Sequence, residues 1–384
     1  MRNFEYYNPT RLVFGKGTIA QLSDLVPTDS KILLLYGGGS IKANGVYEQV
    51  LAALQEFTVV EFGGIEPNPQ FDTCMRAAEK VQHEGCDFLL AVGGGSVLDA
   101  CKFIAAASEY EGEDAWDILK KRAPVDAAIP LGAVLTLPAT GSEMNAGSVI
   151  SRESTSEKLF FGSDLVRPKF SILDPETTYS LPPVQTANGI IDAFVHVTEQ
   201  YATYPAPNPL QDRQAEAILK TLVEEGPKAL EEPRNYEARA NIMWCATNAL
   251  NGWLSLGVPT DWAAHVIGHE LTALYGVDHG TSLAIVEPGV WEHQRERKKE
   301  KLLQYGERVW DITEGSERER IGKAISKTDL FFRSLGIGTK LGDHNIPGEA
   351  CEQVAKRLAN RDMKIGEHAD LGEKEVTEIL RLRI

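Results

Sequence analysis

Phe88-Leu89-Leu90-Ala91-Val92-Gly93-Gly94-Gly95-Ser96-Val97 runs from an unbroken apolar stretch, through consecutive glycines, into a segment that reads as helix from near Val97. An apolar run without polar alternation needs cover on both faces, which is the pattern of a strand in a parallel sheet. Upstream, Lys31-Ile32-Leu33-Leu34-Leu35-Tyr36 has the same texture and the same ending, Gly37-Gly38-Gly39-Ser40. Thr58–Phe62, Ala133–Leu137 and Phe170–Leu173 read as further strands. Phe71–Glu84, with Met75, Ala78 and Val81 on one face, reads as a helix covering the sheet. Strand and helix alternating in this way predict an α/β domain with a parallel sheet over residues 1–180.

Beyond Asp174-Pro175 the texture changes. Leu181-Pro182-Pro183 marks a boundary, and few β-branched runs follow it. Ala215–Leu230, Glu237–Leu250, Trp262–Tyr275 and Gln294–Val309 read as helices, so an all-α domain is expected over residues 181–384. Two domains also suit a chain of 384 residues, which exceeds what one core usually supports.

The formal net charge of −16 argues against nucleic acid or an anionic membrane surface as a partner. The N-terminus lacks the basic-then-apolar pattern of a secretory signal, and no apolar run reaches the roughly 20 residues of a membrane helix. Five widely spaced cysteines form no CxxC pair, so they read as small buried hydrophobes in a reducing, cytoplasmic protein.

Each glycine turn follows a strand, and glycine lets backbone amides approach a phosphate closely. Tight turns that need positive φ would look the same. Neither turn is GxGxxG, because Lys42 and Leu98 stand where the third glycine belongs. Tyr36–Ala43 contains no acid but offers Ser40 and Lys42, which favours NADP(H) over NAD(H).

Asp192 and His196 are four residues apart in a helical stretch, and so are His265 and His269. That spacing places each pair on one helix face. His279 follows in Gly276–Gly280, a segment that reads as a turn folding back on the preceding helix. These residues together suit an ion site; imidazole and carboxylate without thiolate accommodate Fe²⁺, Zn²⁺, Mn²⁺ or Ni²⁺. His83, His293, His344 and His368 have no such company and read as surface residues.

The chain resembles the iron-containing (group III) alcohol dehydrogenase family along essentially its whole length. The resemblance is carried by Pro9–Gly17, Gly93–Lys102, Leu137-Pro138-Ala139-Thr140-Gly141-Ser142-Glu143, Leu173-Asp174-Pro175 and the Asp/His segments. Tyr36–Ser40 and Gly268–Ala273 are nearest to the bacterial NADPH-dependent butanol dehydrogenase and broad-specificity aldehyde reductase branch. The resemblance implies a dehydroquinate-synthase-like fold with Asp192, His196, His265 and His279 as metal ligands, Fe²⁺ first and Zn²⁺ or Ni²⁺ next. It implies His269 as the histidine assisting proton transfer, with orientation of His265 as its other reading. Gly94, Gly95 and Ser96 fall on the pyrophosphate loop beside Asp99, and Thr136, Thr140 and Lys158 on other cofactor contacts. Gly38, Gly39 and Ser40 replace the aspartate of NAD-preferring members. Asp278 departs from the proline many relatives carry there and puts an extra carboxylate beside the last ligand. A small aldehyde or alcohol as substrate, and a homodimer, follow from the same resemblance. A dehydroquinate-synthase-like lyase, a metallohydrolase and a non-catalytic NADP-binding redox sensor are the competing readings. Phe194, Trp253, Leu254 and Trp262 are either core or substrate-pocket wall.

Overall fold

A computed structural model describes all 384 residues. The chain divides into two units, Tyr7–Leu181 and a second formed by Pro182–Ile384 with Met1–Tyr6. The first six residues join the second unit, where Arg2 N donates to Gly257 O at 3.0 Å and Tyr6 meets the Trp253 ring edge-on at 5.2 Å. A division at residue 180 would have left them with the sheet.

The strands of Tyr7–Leu181 are β1 (Arg11–Phe14), β2 (Lys31–Tyr36), β3 (Thr58–Phe62), β4 (Phe88–Gly94), β5 (Leu131–Leu137), β6 (Gly147–Arg152), β7 (Glu157–Gly162) and β8 (Phe170–Leu173). Six of them form one parallel sheet in the order β1-β8-β5-β4-β2-β3, while β6 and β7 pair antiparallel. Helices α1 (Leu22–Leu25), α2 (Ser40–Ala43), α3 (Val46–Ala53), α4 (Phe71–Glu84), α5 (Gly95–Ala107) and α6 (Asp117–Lys120) connect them. Successive strand side chains point to opposite faces. Ile32, Leu34 and Tyr36 of β2 and Phe88, Leu90 and Val92 of β4 therefore share one face, packed with Val46 and Val50 of α3 and with Leu54 just after it. Phe88 and Phe170 stack across that face at 5.9 Å. Each such side chain contributes about 1.5–3 kcal/mol on leaving water, which is why the runs carry no polar break.

The strand order fixes where a ligand can sit. The chain moves from β2 outward to β3, then returns to place β4 on the other side of β2. In open parallel sheets the crevice at the carboxyl ends of strands flanking such a reversal is the binding place. Tyr36 is in register with Val92. Gly37–Gly39 and Gly93–Gly95 thus emerge side by side at the reversal.

The second unit is helical: α7 (Pro183–Tyr201), α8 (Pro209–Glu231), α9 (Tyr236–Ala249), α10 (Ala263–Tyr275), α11 (His279–His293), α12 (Lys299–Trp310), α13 (Glu317–Ser334), α14 (Ala350–Asn360) and α15 (Glu373–Arg381). Almost every residue of α7 from Thr186 to Tyr201 is buried, which makes it a central helix rather than an amphipathic surface one. Two readings of this half change. His279 is not in a turn but opens α11, after a short link beginning at Gly276. Gln294–Val309 is not one helix: α11 ends at His293 and α12 begins at Lys299. Helix α11 is buried continuously from Gly280 to Trp291 and contains Pro288, so no apolar stripe announces it.

Candidate metal centre and glycine turns

Asp192 and His196 project from α7, His265 and His269 from α10, and His279 from the first position of α11. Close helix approach sets this up. A Cβ on Gly280 would lie 2.4 Å from Asn188 O, and one on Gly268 would lie 2.8 Å from Ser282 Oγ. Only glycine lets α11 approach α7 and α10 this closely.

Asp192 is 3 % exposed in the middle of a helical bundle. A buried carboxylate is tolerated only with compensating positive charge or hydrogen bonds. Its Oδ1 has three imidazole nitrogens around it: His196 Nδ1 at 3.4 Å, His265 Nε2 at 3.6 Å and His279 Nε2 at 3.7 Å. These separations exceed good hydrogen bonds but match donor atoms spaced around one ion, about 3.4 Å for tetrahedral ligands 2.0–2.1 Å from the centre. His196 Nδ1 and His265 Nε2 are buried without a hydrogen-bond partner. The tightest group is Asp192, His265 and His279, whose ligand atoms lie within 4.8 Å of one another, and it forms a divalent-metal site. His196 stands directly beside it, its ring 4.4 Å from that of His265.

The electrostatics fit a cation. Burial holds His196 down at about 4, so it is a neutral donor at neutral pH. Burial also pulls His265 down, but the Glu199 and Asp192 carboxylates outweigh it and raise it to about 9. His269 lies farther out, half-buried, its ring 5.0 Å from His279 and 6.4 Å from His265. Asp278, the extra carboxylate next to His279, is exposed and accepts from Asn188 Nδ2 at 3.2 Å. Of the four aromatic and apolar residues read as core or pocket, Phe194 packs on Phe331 and Phe332, and Leu254 is in the core. Trp253 donates from Nε1 to Gln214. Trp262 alone borders the histidines, 5.5 Å from the His265 ring and 6.3 Å from that of His196.

Glu199 was missed. Fully buried on α7, it contacts His265 Nδ1 through Oε2 and accepts from Ala264 N at 2.6 Å through Oε1. It lies three residues beyond His196 and seven beyond Asp192, so the helical spacing that found the pair could have found it too.

At the second glycine turn, α5 begins at Gly95 with no side-chain cap and no acid in its first turn. Its first amides are free to meet an anion, as a pyrophosphate requires. A Cβ on Gly95 would sit 2.5 Å from Thr140 Cγ2, and one on Gly94 2.8 Å from Leu137 Cβ, so the walls of this turn reject any side chain. Ser96 Oγ accepts from Asn68 N at 3.3 Å, and Lys158 donates to Asn68 Oδ1 at 2.9 Å. Thr136 lies buried near the end of β5. Asp99 is turned inward, accepting from Ser142 Oγ at 2.6 Å and Val149 N at 2.9 Å, so it braces the loop behind the turn.

In the first turn Gly39 has φ +100°, open to glycine, while Gly38 has nothing within 4 Å of a built Cβ. Ser40 opens α2. The absence of acid from Tyr36–Ala43 is only local, because Glu61 arrives from β3. It accepts from Tyr47 OH at 2.6 Å, Tyr36 OH at 3.0 Å and Lys42 Nζ at 3.2 Å. Those partners hold its carboxyl below the usual range, Tyr47 foremost, and leave it fully engaged.

No helix is long and apolar enough to cross a membrane, and all five cysteines are buried and unpaired. Comparison with known proteins agrees with this geometry. The chain is 55 % identical over 374 residues to the NADPH-dependent aldehyde reductase YqhD of Escherichia coli, covering 97 % of both. It is 43 % identical over 387 residues to the probable NADH-dependent butanol dehydrogenase 1 of Bacillus subtilis, covering 99 % of both. The crystal structure of Escherichia coli YqhD superposes with a TM-score of 0.98 at 52 % identity, covering all of this chain and 99 % of that one. The NADH-dependent butanol dehydrogenase A of Thermotoga maritima superposes with a TM-score of 0.96 at 37 % identity, with the same coverage. Residues 9–175 match the iron-containing alcohol dehydrogenase model and residues 186–384 its C-terminal counterpart. With both units matched and an Asp/His cluster at the heart of the second, the chain belongs to the iron-containing alcohol dehydrogenase family.

Proposed function

We propose that the protein is a metal-dependent, NADP(H)-linked alcohol dehydrogenase that works mainly as a reductase of aliphatic aldehydes. The observation that carries this is the convergence of three imidazole nitrogens, at 3.4–3.7 Å, on one buried carboxylate oxygen. Asp192, His265 and His279 hold the ion, and His196 is the fourth ligand. Gly94, Gly95 and Ser96 take the pyrophosphate at the uncapped start of α5. Thr136, Thr140 and Lys158 provide further cofactor contacts, while Gly38, Gly39 and Ser40 accommodate the adenosine end. NADPH is supported by the engaged state of Glu61, whose charge is matched by Lys42, and by the cofactor in the YqhD name. A cytoplasmic homodimer is the form we expect; a monomer mass by light scattering contradicts it.

When bound, the cation supplies Lewis acidity toward a carbonyl oxygen and NADPH supplies a hydride. The protein supplies placement: ligands on three helices, all buried but the half-buried His279, and amides fixed at a helix start. His269, one turn after His265 and facing His279, is the group that passes a proton toward solvent. In His269→Ala, kcat falls by about 10²-fold and its pH dependence changes; a variant with unchanged kcat at every pH removes that role.

The direct test follows NADPH oxidation with butanal on metal-stripped protein, then after adding Fe²⁺, Zn²⁺, Mn²⁺ or Ni²⁺ separately. Turnover should return with a metal and be weaker with NADH. Equal kcat/KM with both cofactors contradicts the NADP(H) preference, and no turnover with any metal contradicts the reductase reading.

A further inference from the structure

We infer that Glu199 is the positioning residue of the metal centre: it fixes His265 in the tautomer that presents Nε2 to the ion and ties together two ligand-bearing helices. The inference rests on the metal reading above. Asp192, His196 and Glu199 occupy positions i, i+4 and i+7 of α7 and share one face. Glu199 is 2 % exposed, and both its oxygens are committed to α10. Oε1 accepts from Ala264 N at 2.6 Å; Oε2 accepts from His265 N at 3.3 Å and meets His265 Nδ1.

Helix α10 has one local acceptor at its start, Asp261 Oδ1, which accepts from Ala263 N at 3.2 Å. Its N-cap position is Trp262, held at φ 68° with no side-chain hydrogen bond to the helix. The first amides of a helix need acceptors, and a carboxylate suits them best. For the next two amides, Ala264 N and His265 N, the acceptor comes from α7, so this part of the helix start and the ligand ring are held by the same carboxylate.

The tautomer follows from donor and acceptor rules. Both Glu199 oxygens already accept backbone amides, so toward Nδ1 the carboxylate is the acceptor and the ring nitrogen the donor. Nδ1–H therefore donates to Glu199, and Nε2 is the nitrogen that gives up its proton and offers its lone pair when the ion binds. That Nε2 is the buried nitrogen without a hydrogen bond, 3.6 Å from Asp192 Oδ1. Negative charge behind Nδ1 also makes Nε2 a stronger donor.

The test compares Zn²⁺ affinity, by chelator competition, of the full-length wild type and Glu199→Gln. Glutamine keeps an acceptor for Ala264 N but loses the charge and can face Nδ1 with an amide donor. We expect zinc binding about 10–100-fold weaker in a variant that still folds, its metal-free form melting lower because the buried partner of His265 has lost its charge. Affinity within twofold of wild type overturns the role. Should the variant not fold, wild type suffices: ¹⁵N-histidine spectra of the zinc-loaded protein should show His265 protonated at Nδ1 and coordinated through Nε2. Zinc on Nδ1, or no proton there, overturns the inference. Wild type that takes up no zinc overturns the metal reading and the role of Glu199 with it, a result distinct from a defect confined to the variant.

Discussion

Asp192→Asn stays folded and loses aldehyde reduction, with kcat/KM for butanal about a thousandfold below wild type, equivalent to roughly 4 kcal/mol of transition-state stabilisation. Three imidazoles converge on Asp192 Oδ1, and it is the one anionic member of the tightest cluster. Asparagine preserves the shape and removes the charge, so the ion is held by neutral donors alone and bound metal falls with activity. The fold should not suffer, because a carboxylate that is 3 % exposed is a burden to the metal-free protein. Elemental analysis, steady-state kinetics and a melt of the stripped protein check all three parts. A variant that keeps both metal and activity contradicts the assignment, whereas one whose stripped form melts far lower makes Asp192 a structural residue.

The largest loss of stability is expected at Lys298. Lys298 is 2 % exposed, and its Nζ reaches Asp261 at 2.7 Å, Glu367 at 2.8 Å and Ala202 O at 2.7 Å. Lys298→Met leaves two carboxylates buried together without their cation, a loss of about 3–5 kcal/mol. For a helical unit of this size that lowers the melting temperature by roughly 10 °C. The sign of its pH dependence follows from Glu367. Burial raises that carboxyl and Lys298 opposes the rise. Without the ammonium the folded-state value moves further above the unfolded one. Protonation then favours the folded state, so the deficit shrinks as pH falls and is full once pH is above the raised value. Melts from pH 5 to 8 check this; a deficit that grows toward acid contradicts it.

The sheet was legible because its strands are buried on both faces and end in glycine, so composition alone separates β2 and β4 from their surroundings. β1 was not recognised as a strand, being four residues long with Arg11 and Phe14 exposed. β6 and β7 went unread too, since their partly exposed faces mix polar and apolar residues. The ligand residues were legible because helical spacing is local. The engagement of Glu61 by Tyr36, Lys42 and Tyr47 was not, because β3 must first pair with β2 to bring it there. The placement of His279 at a helix start, not in a turn, likewise depends on α11 being buried all round.

Trp262 has a consequence for redesign. It is the aromatic side chain bordering the metal histidines, and its backbone sits at φ 68°, where glycine is at ease and tryptophan is strained. Cutting back most pocket walls leaves a cavity with no relief elsewhere. Here the indole can be removed while the main chain relaxes into a conformation it prefers. Trp262→Gly is therefore the change expected to open space beside the metal histidines at least cost in backbone strain. Gly268 and Gly280, which hold the three helices together, are the ones to leave untouched.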